Sequence, residues 1–350
     1  MKKIILILQV FSLLFRCYAQ KSTNNESAFN SITVDTILNP ELSIRAIDMN
    51  GSKVWYAADK GKFGFYDLVT HHYYESKISN GSADFEFRSI AVTSSAVFVI
   101  NVGNPAFLYR IAHDGKNVKL VYEEHHEKVF YDSMRFWNEK EGIAVGDPTN
   151  DCLSIITTSD GGNSWRKIPC SGLPKVKEGE AAFAASNTNI TIKGNKTWVV
   201  SGGKKSRVFY SPDKAKSWEV FETPIVQGLA MTGIFTCDFY NDRLGFIAGG
   251  NYEMPQQNSR NKAITTNGGK NWKLVAENEG FGYASCVQFV PERHGKQLVS
   301  VGASGVQCSN DSGRTWKKLL DTKNLFTIRF VNPSTAIAAG WNCMLLLHFK

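Results

Sequence analysis

The eight residues Thr158 to Trp165, Thr-Ser-Asp-Gly-Gly-Asn-Ser-Trp, recur three times along the chain in altered form. Ser211 to Trp218 reads Ser-Pro-Asp-Lys-Ala-Lys-Ser-Trp, Thr265 to Trp272 reads Thr-Thr-Asn-Gly-Gly-Lys-Asn-Trp, and Ser309 to Trp316 reads Ser-Asn-Asp-Ser-Gly-Arg-Thr-Trp. An Asp or Asn that bonds its own turn, followed by residues able to take positive φ, makes a tight hairpin. The closing Trp starts the next strand and covers the turn with a large apolar face. The third-position residues fall at 160, 213, 267 and 311, intervals of 53, 54 and 44 residues. Such spacing marks an array of small supersecondary units, each unable to bury its apolar face alone.

Around these turns the chain repeats one order: a short apolar strand, a second ending in small residues, a third leading into a hairpin, and a fourth. Six units of this kind begin at Ile44, Arg88, Ser133, Ala181, Ile234 and Ser285. In the fourth unit the expected first strand is Ala181 to Ala185. A seventh unit has only three strands, Thr327 to Val331, Ala336 to Ala339 and Met344 to Phe349. The alternating segment Ser31 to Leu38 supplies the missing one, because a circular array must tie its ends and remove its open edge. The expected fold is therefore an all-β, seven-bladed β-propeller over residues 31–350, without a second domain.

The N-terminus carries Lys2 and Lys3, a nearly continuous apolar run from Ile4 to Phe15, and Cys17-Tyr18-Ala19 before a polar stretch. This pattern is that of a secretory signal peptide, residues 1–19, cleaved near Ala19, followed by a disordered leader over 20–30. An exported chain is expected, with no transmembrane segment. Loss of Lys2, Lys3 and Arg16 lowers the formal charge from +8 to +5, and the remaining lysines are scattered, which argues against nucleic acid. Six cysteines then remain, an even number in an export setting. Antiparallel register around the first repeated turn sets Cys152 opposite Cys170, and a disulfide is expected there. No Cys or His spacing suggests a metal, and no Gly-rich phosphate loop or nicotinamide or flavin motif occurs, so no cofactor is expected.

With turns and units set out, the chain resembles the Asp-box, or BNR-repeat, β-propellers, a design shared by sialidases and sorting receptors. It is most similar to exported bacterial propellers akin to the photosystem II stability/assembly factor group, often labelled oxidoreductase or glycosyl hydrolase. Segments carrying that resemblance include Phe130-Tyr-Asp-Ser-Met-Arg-Phe, Gly146-Asp-Pro, Gly179-Glu-Ala-Ala-Phe-Ala-Ala-Ser, Gly249-Gly-Asn-Tyr and Tyr283-Ala-Ser-Cys-Val. Ala284 stands where the resemblance leads one to expect an arginine, so part of a family anion site is not carried over. A sialidase would also need an Arg-Ile-Pro segment, which this chain lacks. The repeated turn is a fold element and gives no evidence of sugar cleavage.

In such a ring the first strand of each blade lines the central channel. Aligning those strands by their apolar positions places Arg45, Arg88, Asp132, Glu180, Phe235, Ser285 and Phe326 at one level. Glu86 faces the same mouth, and Tyr283 stands across it with Ser285. Two readings follow. The charges form a structural salt-bridge ring, or Arg45 and Arg88 grip an anionic group while Asp132 and Glu180 bind hydroxyls or act as acid and base. Strand alternation should turn Arg135, three residues after Asp132, away from the channel. Asp147-Pro148 reads as a turn, and Asn251 to Asn261 as an inserted excursion that could border a pocket. The expected function is recognition of a protein partner, or of an anionic or polyhydroxylated ligand such as a glycan, by a monomer. The alternatives are a glycoside hydrolase or lyase using Asp132 and Glu180, and an assembly or scaffolding factor.

Overall fold

A computed structural model describes residues 28–80 and 83–350. The expected signal peptide, and the leader up to residue 27, lie outside the described residues. Seven four-stranded antiparallel blades form the ring, with inner strands Ile44–Asn50, Phe87–Val92, Tyr131–Phe136, Ile190–Lys193, Thr232–Phe239, Ala284–Phe289 and Leu325–Asn332. The second strands Val97–Asn101, Gly142–Gly146 and Leu298–Gly302 are buried at every position, since each is covered on both faces by neighbouring blades. Outer strands such as Val118–Glu124 have no buried position. Among the described residues no helix is long and apolar enough to cross a membrane.

The last blade is completed by the N-terminal strand. Ile32–Leu38 pairs antiparallel with Cys343–Phe349, from Ile32 opposite Phe349 to Leu38 opposite Met344. The seam extends one step before that strand, where Asn30 N–H donates to Lys350 O at 2.7 Å. Phe29, expected in a disordered leader, is instead buried and stacks on Phe349 at 4.8 Å. An aromatic ring beside the closing strand buries enough apolar area, roughly 2 kcal/mol, to hold the end of that leader in place.

All four repeated turns carry the same bonds at the outer hairpins. Thr158, Ser211, Thr265 and Ser309 donate their hydroxyls to Asp160, Asp213, Asn267 and Asp311 at 2.8, 3.0, 2.9 and 2.8 Å. Each of those acceptors also takes the N–H four residues on, at 3.0, 2.8, 3.0 and 2.9 Å. Two successive residues sit at positive φ in every turn, Gly161 and Gly162 in the first, Lys214 and Ala215 in the second. Beside the first turn Cys152 and Cys170 are joined, with Cα atoms 5.5 Å apart.

Blade four departs from the expected arrangement. The segment Ala181 to Ala185 is not its inner strand: Glu180–Ala181 pairs with Gly202–Gly203, and the inner strand starts at Ile190. The small apolar residues that resemble a strand start are suited instead to threading the channel. Residues 183–189 cross it and bond to the inner strands around it. Ser186 Oγ donates to Ser285 O at 2.6 Å, and Thr327 Oγ1 donates to Ser186 O at 3.2 Å. Asn187 Nδ2 donates to Ile90 O at 2.7 Å, its Oδ1 accepts Met134 N–H at 3.0 Å, and Thr188 Oγ1 donates to Thr236 Oγ1 at 2.8 Å. Asn187 holds φ at 59°, a conformation Asn tolerates better than most residues.

Two outcomes follow. Reduction of Cys152–Cys170, whose cysteines are 18 residues apart, should lower unfolding free energy by about 3 kcal/mol in urea titrations run with and without reductant. Asn187→Ala strands a buried carbonyl and a buried N–H and should cost about 2–4 kcal/mol in the same assay. A loss under about 1 kcal/mol would show that the segment crossing the channel does not brace it.

Candidate functional site

In six of the seven blades the inner strand slips register by one residue against its neighbour, and the residue passed over is the same in each. The slips fall between Ile44 and Ala46, Phe87 and Ser89, Tyr131 and Ser133, Ile234 and Thr236, Ala284 and Cys286, and Leu325 and Thr327. The bulged residues are therefore Arg45, Arg88, Asp132, Phe235, Ser285 and Phe326, the level predicted from sequence except at blade four. A bulge leaves its extra residue unpaired and re-aims its side chain. It also inverts the alternation beyond it. Arg135 therefore remains on the channel side, where its guanidinium reaches Asn187 O at 2.8 Å, contrary to the expectation from unbroken alternation.

At the first mouth the threading segment closes the channel from below. Two adjoining hollows open above it, of about 160 and 290 Å³, sharing Arg45, Tyr252 and Tyr283. Arg88, Phe183, Ala185 and Phe235 complete the first, and Ser285, Pro255, Lys323 and Phe326 bound the second. The excursion after Asn251 thus borders the site through Tyr252 and Pro255. The bordering function of those two residues had no strong sequence signal, because their neighbours are ordinary polar turn residues.

The two arginines differ. Arg88 Nε donates to Glu86 at 2.7 Å, an ion pair within one strand end. Arg45 makes no hydrogen bond or ion pair among the described residues: its guanidinium lies over the Phe326 ring at 4.0 Å, and its Nε is buried without a partner. Burial first, and then Arg88, lower its pKa. Tyr283 is buried and its hydroxyl pKa is pushed up to about 12, chiefly by desolvation; Ser285 Oγ donates to it at 3.4 Å. The salt-bridge ring is not formed, and the Arg45 guanidinium, with Glu86 near it but paired to Arg88, is left without an ion pair of its own in an aromatic hollow.

Asp132 and Glu180 do not share a site. Glu180 is sealed within blade four, where Arg207 Nε donates to both its oxygens at 2.9 and 3.1 Å, Arg207 Nη2 and Ser201 Oγ each donate at 2.5 Å, and Lys177 N–H donates at 2.8 Å. Its strand lies outside the inner ring, so the alignment that set it beside Asp132 is corrected. Asp132 is fully buried and neither carboxyl oxygen has a hydrogen-bond partner. Desolvation first, and then the charge of Asp147, push its pKa well up, against a lowering influence from Arg88. Asp147, read from sequence as a turn residue, is its carboxyl neighbour; burial raises it to about 7 although Ala182 N–H donates to it at 2.8 Å. It also lines a larger cleft of about 590 Å³ with Lys128, Asp151 and Lys177.

No protein-family profile matches the chain, and no curated protein matches it. Solved structures do match its fold. A structure of YCF48 bound to D1 peptide aligns over 93% of this chain and 98% of its own, at 14% identity and a TM-score of 0.66. YCF48 from Cyanidioschyzon merolae aligns over 91% and 98%, at 13% identity and a TM-score of 0.61. The RRP9 WD40 repeats align over 91% and 97%, at 12% identity and a TM-score of 0.62. These likenesses agree with the class the fold defines, a seven-bladed β-propeller similar to those of YCF48 and the WD40 proteins.

The carboxyl pair generates a pH dependence with a definite sign. Asp132 and Asp147 are both held above the usual carboxylate range in the folded chain, so their contribution to stability is complete below about pH 4. It is lost as pH rises, through about 7 for Asp147. Wild-type unfolding free energy should therefore contain a falling component between pH 4.5 and 7.5 that Asp132→Asn reduces but does not abolish, since Asp147 is raised by its own burial, measured by urea titration at each pH. An identical slope in the variant would show that Asp132 titrates normally.

Proposed function

We propose that the protein is an exported recognition propeller that binds an acidic segment of a protein partner at the mouth holding Arg45 and Arg88. The single observation that carries this reading is the Arg45 guanidinium, without an ion pair among the described residues and set among Phe326, Tyr252 and Tyr283. A desolvated cation among aromatic faces favours an incoming carboxylate, because each charge removes the cost of burying the other. Exposed apolar side chains lie close in sequence to lining residues: Met254, 60% exposed, precedes Pro255, and Leu229, 59%, lies two residues before Met231. Aromatic and methionine side chains next to arginine are typical of protein-binding hot spots. The neighbouring fold solved with a bound peptide supports a protein ligand, and the apolar run from Ile4 to Phe15 together with the Cys152–Cys170 bond supports export.

Hydrolysis of a glycan through Asp132 and Glu180 has no such support, because Glu180 is engaged by Arg207. Selection from a displayed peptide library against the mature chain tests the reading. Enriched peptides should be acidic with apolar flanks, and Arg45→Gln should weaken them by about 2 kcal/mol or more in titration calorimetry. Peptides that bind Arg45→Gln and Arg88→Gln as tightly as wild type would place recognition on the blade edges and reject this site.

A further inference from the structure

The segment that crosses the channel leaves a second hollow at its opposite end, of about 350 Å³, lined among others by Arg135, Lys193, Gln288, Asp238 and Thr188. We propose that this opposite mouth is a separate binding site for a small, multiply charged oxyanion of the phosphate or sulfate kind, held by Arg135, Lys193 and Gln288. It is independent of the peptide reading for the first mouth.

Arg135 uses its guanidinium only on main-chain carbonyls, Met134 O at 3.3 Å and Asn187 O at 2.8 Å. Arg329, almost wholly buried beside it, likewise reaches Ile328 O at 2.8 Å, Asn187 O at 3.4 Å and the Thr327 hydroxyl at 3.3 Å. Neither guanidinium has an ion pair among the described residues, nor has Lys193, and the Gln288 amide makes no hydrogen bond. Two carboxylates stand nearby, and both are engaged elsewhere. Asp48 accepts Met49 N–H and Val92 N–H, each at 3.0 Å. Asp238 accepts Phe239 N–H and Phe289 N–H, each at 2.8 Å.

Those four bonds clasp each aspartate to its own strand and to the next blade, so the carboxylates face the backbone. Three cations thus face two carboxylates that are already hydrogen-bonded. Burial, then repulsion from Arg329, lower the pKa of Arg135 to about 10, and burial raises that of Asp238 against a lowering influence first from Lys193. A guanidinium with unused N–H donors, an ammonium and an amide donor around one hollow suit a compact oxyanion, whose several acceptors can meet all three at once.

The test is calorimetric titration of sodium phosphate into the mature chain at fixed ionic strength set with sodium chloride. It is run in wild type and in Arg45→Gln, so that any binding at the first mouth can be subtracted. The expected result is a saturable isotherm with one site per chain that persists in Arg45→Gln, and that weakens about tenfold or more in Arg135→Gln and in Lys193→Gln. Because Arg135 also braces the segment crossing the channel, its variant could unfold. Lys193, half-buried and without a hydrogen bond, provides the variant that decides the matter in that event. Absence of saturable binding, loss of it in Arg45→Gln, or an unchanged affinity in Lys193→Gln would each overturn the proposal.

Discussion

The centre of this molecule depends on one buried amide. A propeller ring encloses a channel whose inner strands expose one edge of backbone groups and a ring of side chains, and these must be bonded to something. Asn187 meets the need on two sides at once, giving a donor to Ile90 and an acceptor to Met134, while its carbonyl receives Arg135. Ser186 and Thr188 extend the same service to the inner strands of blades five, six and seven. Because an unmet buried polar group is costly, the crossing segment and the ring hold each other in a single arrangement.

From that arrangement comes the division of the channel into two unlike ends. Repeated bulges bring one residue of six blades to the first mouth and, by inverting the alternation, keep a second set on the channel side three residues later. The first set includes Arg45, a cation without an ion pair among aromatic rings. The second includes Asp48 and Asp238, which clasp adjacent blades, and Arg135 and Arg329, which bind carbonyls. The same strand therefore presents a bulged side chain to the first mouth at its start and braces the ring at its end, and the two are separated by the thickness of the crossing segment.

Electrostatics follow burial more than sequence neighbourhood. Glu180 and Asp132 are both buried acids, yet Glu180 meets Arg207 and Ser201, whereas Asp132 meets another carboxyl and no hydrogen-bond donor. One is a satisfied structural ion pair, and the other is a carboxyl that favours its proton. A half-buried pair such as Arg88 with Glu86 lies between these limits.

The sequence by itself determined the ring. Repeated turns fix hairpins through local bonds from a hydroxyl to an Asp or Asn, strand periodicity sets the blades, and a three-strand remainder calls for the N-terminal strand; each of these is a short-range or counting constraint. The Cys152–Cys170 bond was legible for the same reason, since register around one hairpin brings the two together. Six of the seven residues at the first mouth were legible because their blades repeat. Tertiary structure alone decided the seventh, as Ala181 to Ala185 carries the composition of a strand but is drawn across the channel by hydroxyl and amide bonds to blades distant in sequence. It alone decided the facing of Arg135, because a bulge depends on pairing with the adjacent strand and leaves no mark in the residue itself. Whether a carboxylate finds a guanidinium or only another acid is likewise a matter of which blades the ring sets side by side.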